Sequence, residues 1–373
     1  MIKTSESVMR GHPDKVCDQI ADSLLEAISL IDKNARCAIE CLIKDNLLVI
    51  AGEVSTNAQV DYENIAKQTL NNIGYNGDEF DIMLQVSKQS SDIALGVDKG
   101  GAGDQGIMYG YACDETKEMM PLSIVLSRKL AMKLDSLTRL YPEIYGVDGK
   151  CQVSVEYDKN DKPTNVSCVV VSIQTKESVE RNKYEGPIRM AIETVIPSKY
   201  LNESTKVLIN PTGEFVKGGP YADSGLTGRK LQCDSYGGLA LHGGGAWSGK
   251  DLSKVDRSAA YYARYIAKNI VKTFLVKYCE IGIAYAIGVA DPVSISIKTD
   301  RTQSEDATLL EVIKKVFDLK PKTIKYAFMT FEKFGSLAEY GHVGISNQHP
   351  WEHTDREEEL LEAMDQVLED GEE

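Results

Sequence analysis

The sequence is most informative at first through what it lacks. No apolar run approaches the roughly 20 residues that a membrane helix needs. The segment from Met1 to Met9 is short and polar, without the apolar core of a secretory signal. The eight cysteines are scattered and none forms a C-x-x-C pair, so neither a thiolate metal cluster nor a disulfide framework is expected. Reduced thiols and a cytoplasmic location follow as expectations. Basic residues are too few for broad nucleic-acid binding: 42 Lys and Arg against 56 Asp and Glu leave a net charge of −14. A local basic pocket for a polyphosphate remains open. No internal repeat and no low-complexity linker is visible along the 373 residues, a length that suggests two to three domains.

Glycine is distributed unevenly. Six of the 30 lie between Gly96 and Gly110, and eleven more between Gly213 and Gly249. Loops this rich in glycine let a backbone approach a ligand closely. Between them the pattern is α+β. Pro13–Ile31 carries apolar residues at helical spacing, with His12 as its N-cap. Ala38–Ile43 and Leu47–Val54 read as a hairpin turning at Asp45-Asn46. Helices are expected at 60–73, 121–140, 179–196 and 256–276. Strands are expected at 82–86, 107–111, 153–157, 166–173, 207–210, 281–289 and 293–297. Thr354-Asp355-Arg356-Glu357 reads as a capping box that starts an acidic terminal helix.

Two glycine motifs are decoys. Gly101-Ala102-Gly103-Asp104-Gln105-Gly106 fits G-x-G-x-x-G, but polar residues precede it and a strand follows it, the reverse of a dinucleotide fold. Gly244 to Lys250 nearly forms a P-loop, but Asp251 stands where a magnesium-binding hydroxyl belongs.

Three constellations carry chemistry. Gly11-His12-Pro13-Asp14-Lys15 puts donors and a carboxylate at a helix N-terminus, a place suited to phosphate and Mg²⁺. Asp223 to Lys230 spaces an Asp, an Arg and a Lys on glycine turns. Lys250, Lys254 and Asp256 follow the Gly243–Gly245 triplet, and the two lysines share a face if that turn is helical. Each has a bland reading as a cap, a solvated turn or a charged helix start. Together they point to Mg-nucleotide chemistry.

These residues resemble the S-adenosylmethionine synthetase family from Thr4 to about Asp355. The match runs through Thr4-Ser5-Glu6-Ser7-Val8, Gly11–Lys15, Gly101–Gly106, Ile209–Gly213, Gly225–Lys230, Gly243–Ala246, Ser248–Asp251, Lys254–Ser258, Tyr340-Gly341-His342 and Pro350-Trp351-Glu352. The resemblance implies three similar α+β domains about a pseudo-threefold axis: an N-terminal domain at 1–95, a central one at 100–216 and a C-terminal one at 218–357, with an acidic tail at 358–373. It implies ATP and L-methionine as substrates, two Mg²⁺ per site, one K⁺, and a homodimer with shared active sites that pairs into a homotetramer. His12 would steady the leaving oxygen. Asp14 and Asp256, the latter from the partner subunit, would bind Mg²⁺, and Glu40 would bind K⁺. Lys15, Arg229, Lys230, Lys250, Lys254 and Lys162 would hold the polyphosphate. Asp104, Phe215 and Ile287 would meet the nucleoside. Glu53, Gln89 and Asp223, with Lys254, would hold methionine. The loop Val97-Asp98-Lys99-Gly100 is shorter than in many relatives, and Thr175, Glu214, Lys217 and Leu241 depart from common residues. A competing expectation is an inactive regulatory homologue that binds nucleotide. A third is an unrelated ATPase or kinase.

Overall fold

The computed structural model describes residues 1–88 and 100–371. Three segments repeat one plan, in which a strand leads to a helix and then to a hairpin. In the first, β1 (Ile2–Val8) leads to α1 (Pro13–Ile31) and the hairpin β2 (Arg36–Lys44) and β3 (Leu47–Ser55). Then come α2 (Tyr62–Ile73) and the edge strand β4 (Asp81–Ser87). In the second, β5 (Gly106–Cys113) leads to α3 (Leu122–Leu140), β6 (Tyr145–Tyr157) and β7 (Pro163–Thr175), then α4 (Arg181–Val195) and β8 (Lys206–Ile209). In the third, β9 (Gly225–Leu226) and the one-turn α5 (Leu231–Asp234) lead to α6 (Val255–Phe274), β10 (Tyr278–Tyr285), β11 (Ser294–Thr299), α7 (Gln303–Val316) and α8 (Pro321–Phe328). An acidic helix, α9 (Glu357–Asp370), follows. Among the described residues no helix is long and apolar enough to cross a membrane.

The leading strand of each segment joins another segment's sheet. β1 pairs antiparallel with β6, β5 with β10, and β9 with β2. The sheets are therefore β1-β6-β7-β8, β11-β10-β5 and β4-β3-β2-β9. The first and last share one pattern: antiparallel hairpins, then an edge strand added in parallel, β8 beside β7 and β4 beside β3. The plan is a threefold cycle of exchanged strands, and sequence similarity at the level of residues does not display it.

Helical and strand periodicities explain the cores. Val16, Ile20, Leu24 and Ile28 line one face of α1 and bury against Cys37, Ile39, Cys41 and Ile43 of β2. Leu126, Leu130 and Leu134 of α3 do the same on Val153, Val155, Val169 and Val171.

Four expectations need correction. The strand expected at 281–289 ends at Tyr285, because Gly288 turns (φ +77) and its N–H donates to the Ala102 carbonyl at 2.8 Å. Helices α7 and α8 were not anticipated. The Thr354–Glu357 capping box does not form. Tyr265 donates to Asp355 at 2.5 Å and Arg356 N donates to Asn269 at 3.0 Å, so α9 starts two residues later, after Arg356, with no side-chain cap. A true capping box instead starts α7, at Thr302 and Glu305. Finally, Lys250 and Lys254 do not share a helical face. Lys250 lies in a bridge to Ala38 of β2, and Lys254 is the N-cap of α6.

Candidate active site

The site grows from the N-terminus of α1. His12 is the N-cap, and its Nδ1 accepts the Asp14 N–H at 3.2 Å. Pro13 follows at the first helical position, where a missing N–H costs nothing. An accepting Nδ1 puts the proton of the neutral ring on Nε2. Burial, and after it the positive Lys230, push the His12 pKa down to about 4, so the ring is neutral near pH 7.

One face of α1 carries carboxylates every four residues: Asp14, Asp18, Asp22 and Glu26. Each accepts one backbone N–H from a distant loop. Asp14 takes Leu226 N at 3.0 Å, Asp18 takes Gly228 N at 2.8 Å, Asp22 takes Gly249 N at 2.8 Å and Glu26 takes Gly335 N at 2.8 Å. The stripe thus fastens the segments at Leu226–Gly228, Gly249 and Gly335 to one helix. Residues at i and i+4 share a helix face, so the spacing was visible in the sequence, but its partners were not.

Cations gather on this stripe. Lys230 Nζ lies 2.6 Å from Asp14 Oδ2, and Arg229 Nε lies 3.5 Å from Asp14 Oδ1. Arg229 remains half exposed, free to turn to an anion. Lys15 differs. Its ammonium is buried between Asp234 at 2.6 Å and Asp18 at 3.2 Å. Burial works against its charge, but the two aspartates outweigh burial and raise its pKa. Lys15 therefore lies beneath the loop rather than on its open face. Arg257, fully buried, forks both oxygens of Asp22 at 2.7 and 2.9 Å and carries the Gly249–Asp251 segment through the Lys250 carbonyl at 3.1 Å. Asp18, Asp22, Asp234 and Arg257 are the scaffold that motif reading overlooked.

A second cluster sits beside the first. Lys250 Nζ lies 2.7 Å from Asp256 Oδ2, and Lys254 Nζ lies 3.8 Å from Asp251. The loops meet where Gly228, at φ +76, faces Ala246. A Cβ there would come within 2.5 Å of the alanine methyl, so any other residue would force the loops apart. Asp223 is exposed, and its Oδ1 accepts Ser224 N at 2.8 Å.

The outer face of the β4-β3-β2-β9 sheet holds further residues. Ala38 pairs with Glu53 on one side and with Lys250 on the other, so both side chains rise on the same face. Glu40, two residues along, stands exposed on that face. Beyond it Leu42, Val49 and Met83 form an apolar row across three strands, with Leu42 40% and Met83 57% exposed.

Other expected residues lie elsewhere. The Gly101–Gly106 loop runs beside Ile287, through an Ala102–Ile287 bridge, which brings Asp104 and Ile287 onto neighbouring loops. Phe215 lies past β8, its carbonyl accepting Thr175 N at 2.9 Å. Lys162 is exposed at the tip of the β6–β7 hairpin, where its own N–H bonds Asp158 at 3.0 Å. Gln89 and the loop before Gly100 lie outside the described residues.

Asp14 and Asp256 offer a hard cation one carboxylate each. Among the described residues no group of three or more His, Cys, Asp or Glu is arranged to hold a metal. Both carboxylates are paired with lysines, Asp14 with Lys230 and Asp256 with Lys250, so a cation held there would have to draw most of its shell from other oxygens, as Mg²⁺ can from phosphate and water.

Comparison with known families agrees with the residues. Three family models match in succession: the S-adenosylmethionine synthetase N-terminal domain over residues 1–95, its central domain over 99–215 and its C-terminal domain over 217–353. With nearly the whole chain covered by three domains in the order this fold requires, the protein belongs to the S-adenosylmethionine synthetase family.

Proposed function

We propose that the protein joins the sulfur of L-methionine to C5′ of ATP. The S–C5′ bond forms as the C5′–O5′ bond breaks. The electron pair leaves on O5′ of tripolyphosphate, and sulfur becomes a sulfonium cation. Water then splits the tripolyphosphate into phosphate and pyrophosphate. The observation that carries this reading is the convergence of Lys230, Arg229 and neutral His12 on Asp14 at a helix N-terminus. Such a site suits a departing polyanion. A thioether sulfur is already nucleophilic, so the site needs orientation and charge stabilisation rather than a base.

In this reading His12 donates its Nε2–H to the departing oxygen. Arg229, Lys230, Lys250 and Lys254 bind the polyphosphate, with Lys162 reaching it from the hairpin tip and Lys15 supporting from below. Asp104, Phe215 and Ile287 meet the nucleoside. Glu53 and Asp223 take the methionine ammonium, with Gln89 and Lys254 beside it. Two Mg²⁺ ions would be held by Asp14 and Asp256 together with phosphate oxygens, and K⁺ by Glu40. When bound, these cations supply neutralisation of the leaving chain.

Two copies would pair through the outer face that carries Leu42, Val49 and Met83. That face is continuous with Glu40, Glu53 and Lys250, which supports a site shared between copies. Pairing of such dimers gives the tetramer.

The test is stoichiometric. The purified protein is incubated with ATP, Mg²⁺ and K⁺, with and without methionine. One S-adenosylmethionine, one phosphate and one pyrophosphate per ATP, all dependent on methionine, are expected. ADP and phosphate without that dependence would mean an ATPase. Bound ATP without turnover would mean a regulatory homologue.

A further inference from the structure

His242 lies in the connection between the exchanged strand β9 and α6, as His12 lies between the exchanged strand β1 and α1. The two rings are held alike. Each Nδ1 accepts a backbone N–H from two residues ahead, Asp14 N to His12 at 3.2 Å and Gly244 N to His242 at 2.9 Å. The ring proton of His242 therefore lies on Nε2. That Nε2 is buried and has no hydrogen-bond partner among the described residues. A buried donor without an acceptor is unfavourable and uncommon.

The ring is also kept in place. It packs on Trp247, with centroids 5.1 Å apart. Trp247 in turn packs on His342 at 5.1 Å and Tyr261 at 5.4 Å. Tyr261 accepts from Arg257 Nε at 3.0 Å, so its own proton goes to His342 Nδ1 at 2.6 Å. His242, Gly243, Gly245, Trp247 and Asp256 line a cavity of about 10 Å³. That is room for about one oxygen atom. Lys250 is held at the same carboxylate, 2.7 Å from Asp256.

We propose that His242 is a further substrate-binding residue, whose Nε2–H donates to a phosphate oxygen of the polyphosphate at the Gly243–Gly245 turn. The proposal rests on the nucleotide reading above and adds a second neutral, directional donor, after His12, to a site otherwise built from lysines and arginine. No bond is made or broken by His242 in this role.

The test uses the full-length protein and inorganic tripolyphosphate, with binding followed by titration calorimetry and KM measured for both substrates. His242→Phe keeps a ring against Trp247 and removes the donor. It is expected to weaken tripolyphosphate binding and raise the ATP KM by about ten- to a hundred-fold, the scale of a hydrogen bond to a charged group. The methionine KM should stay within about two-fold. His242→Gln carries an amide N–H near the Nε2 position and should recover most of the binding. A purely structural role would lower the melting temperature without splitting the two KM values. Should His242→Phe fail to fold, His242→Asn replaces it, since its amide lies short of the cavity and should bind more weakly than the glutamine variant. Wild-type binding of tripolyphosphate that His242→Phe leaves unchanged would overturn the proposal, with water as the cavity's occupant. Equal loss in His242→Phe and His242→Gln would overturn it too. If the wild type neither binds tripolyphosphate nor consumes ATP with methionine, the nucleotide reading itself falls and takes this one with it.

Discussion

At the scale of the residue, His12 joins local geometry to pH dependence. In the folded chain its pKa is lowered from 6.5 to about 4, first by burial and then by Lys230. Between those values the unfolded chain binds a proton that the folded chain refuses. Stability therefore falls as pH drops through this window, by on the order of 3 kcal/mol at this one site. Asp18, whose pKa burial raises to about 6, acts in the opposite sense, since the folded chain protonates it first. Comparing His12→Asn with wild type isolates the histidine: urea midpoints of the variant should decline less between pH 6.5 and 4.5. Activity separates the same residue's chemical role. His12→Asn should slow adenosyl transfer far more than hydrolysis of added tripolyphosphate, and equal loss of both rates would remove His12 from the leaving oxygen.

At the scale of the element, α1 binds three distant segments through a ladder of carboxylates, and its rungs are unequal. Asp22 faces a fully buried arginine with two short contacts, whereas Asp18 shares Lys15 with Asp234. Breaking a buried pair from one side strands a charge at about 3–5 kcal/mol. Asp22→Asn should cost that much in denaturant titration. Asp18→Asn should cost clearly less, because its amide oxygen still accepts Gly228 N and Lys15 keeps Asp234. The ladder also shows what sequence can convey. The helix, its histidine cap and the hairpin after it were legible because each obeys a short-range rule. The four-residue spacing of Asp14, Asp18, Asp22 and Glu26 was legible too, but its meaning depends on backbone groups some 200 to 300 residues away. The two T-x-x-E motifs make the same point. Thr302 and Glu305 cap α7, while the copy at Thr354 loses Asp355 to Tyr265 and Arg356 to Asn269. The T-x-x-E pattern is shared, and tertiary contacts decide. Thr302→Ala should therefore cost about 1 kcal/mol in thermal unfolding, and Thr354→Ala much less.

At the scale of the whole molecule, two clusters with separate carboxylates invite a genetic test of shared sites. Asp14→Ala and Asp256→Ala should each be nearly inactive. If a working site draws Asp14 from one copy and Asp256 from the other, mixed dimers of the two variants contain one site with both aspartates intact. Up to half the activity of a wild-type dimer should return in verified heterodimers, and none would return if each copy supplied both. The cycle of exchanged strands has a different consequence, for the order in which the chain is made. Residues 2–8 leave the ribosome well before their partner, the strand at 145–157. The hairpin at 36–55 waits for residues 225–226 to cover its edge. The chain cannot finish one third before beginning the next. Most of it must be synthesised before any sheet has its full set of strands, and the growing protein carries open strand edges until then. Closing contacts this distant in sequence is slow, and open edges are where newly made chains aggregate.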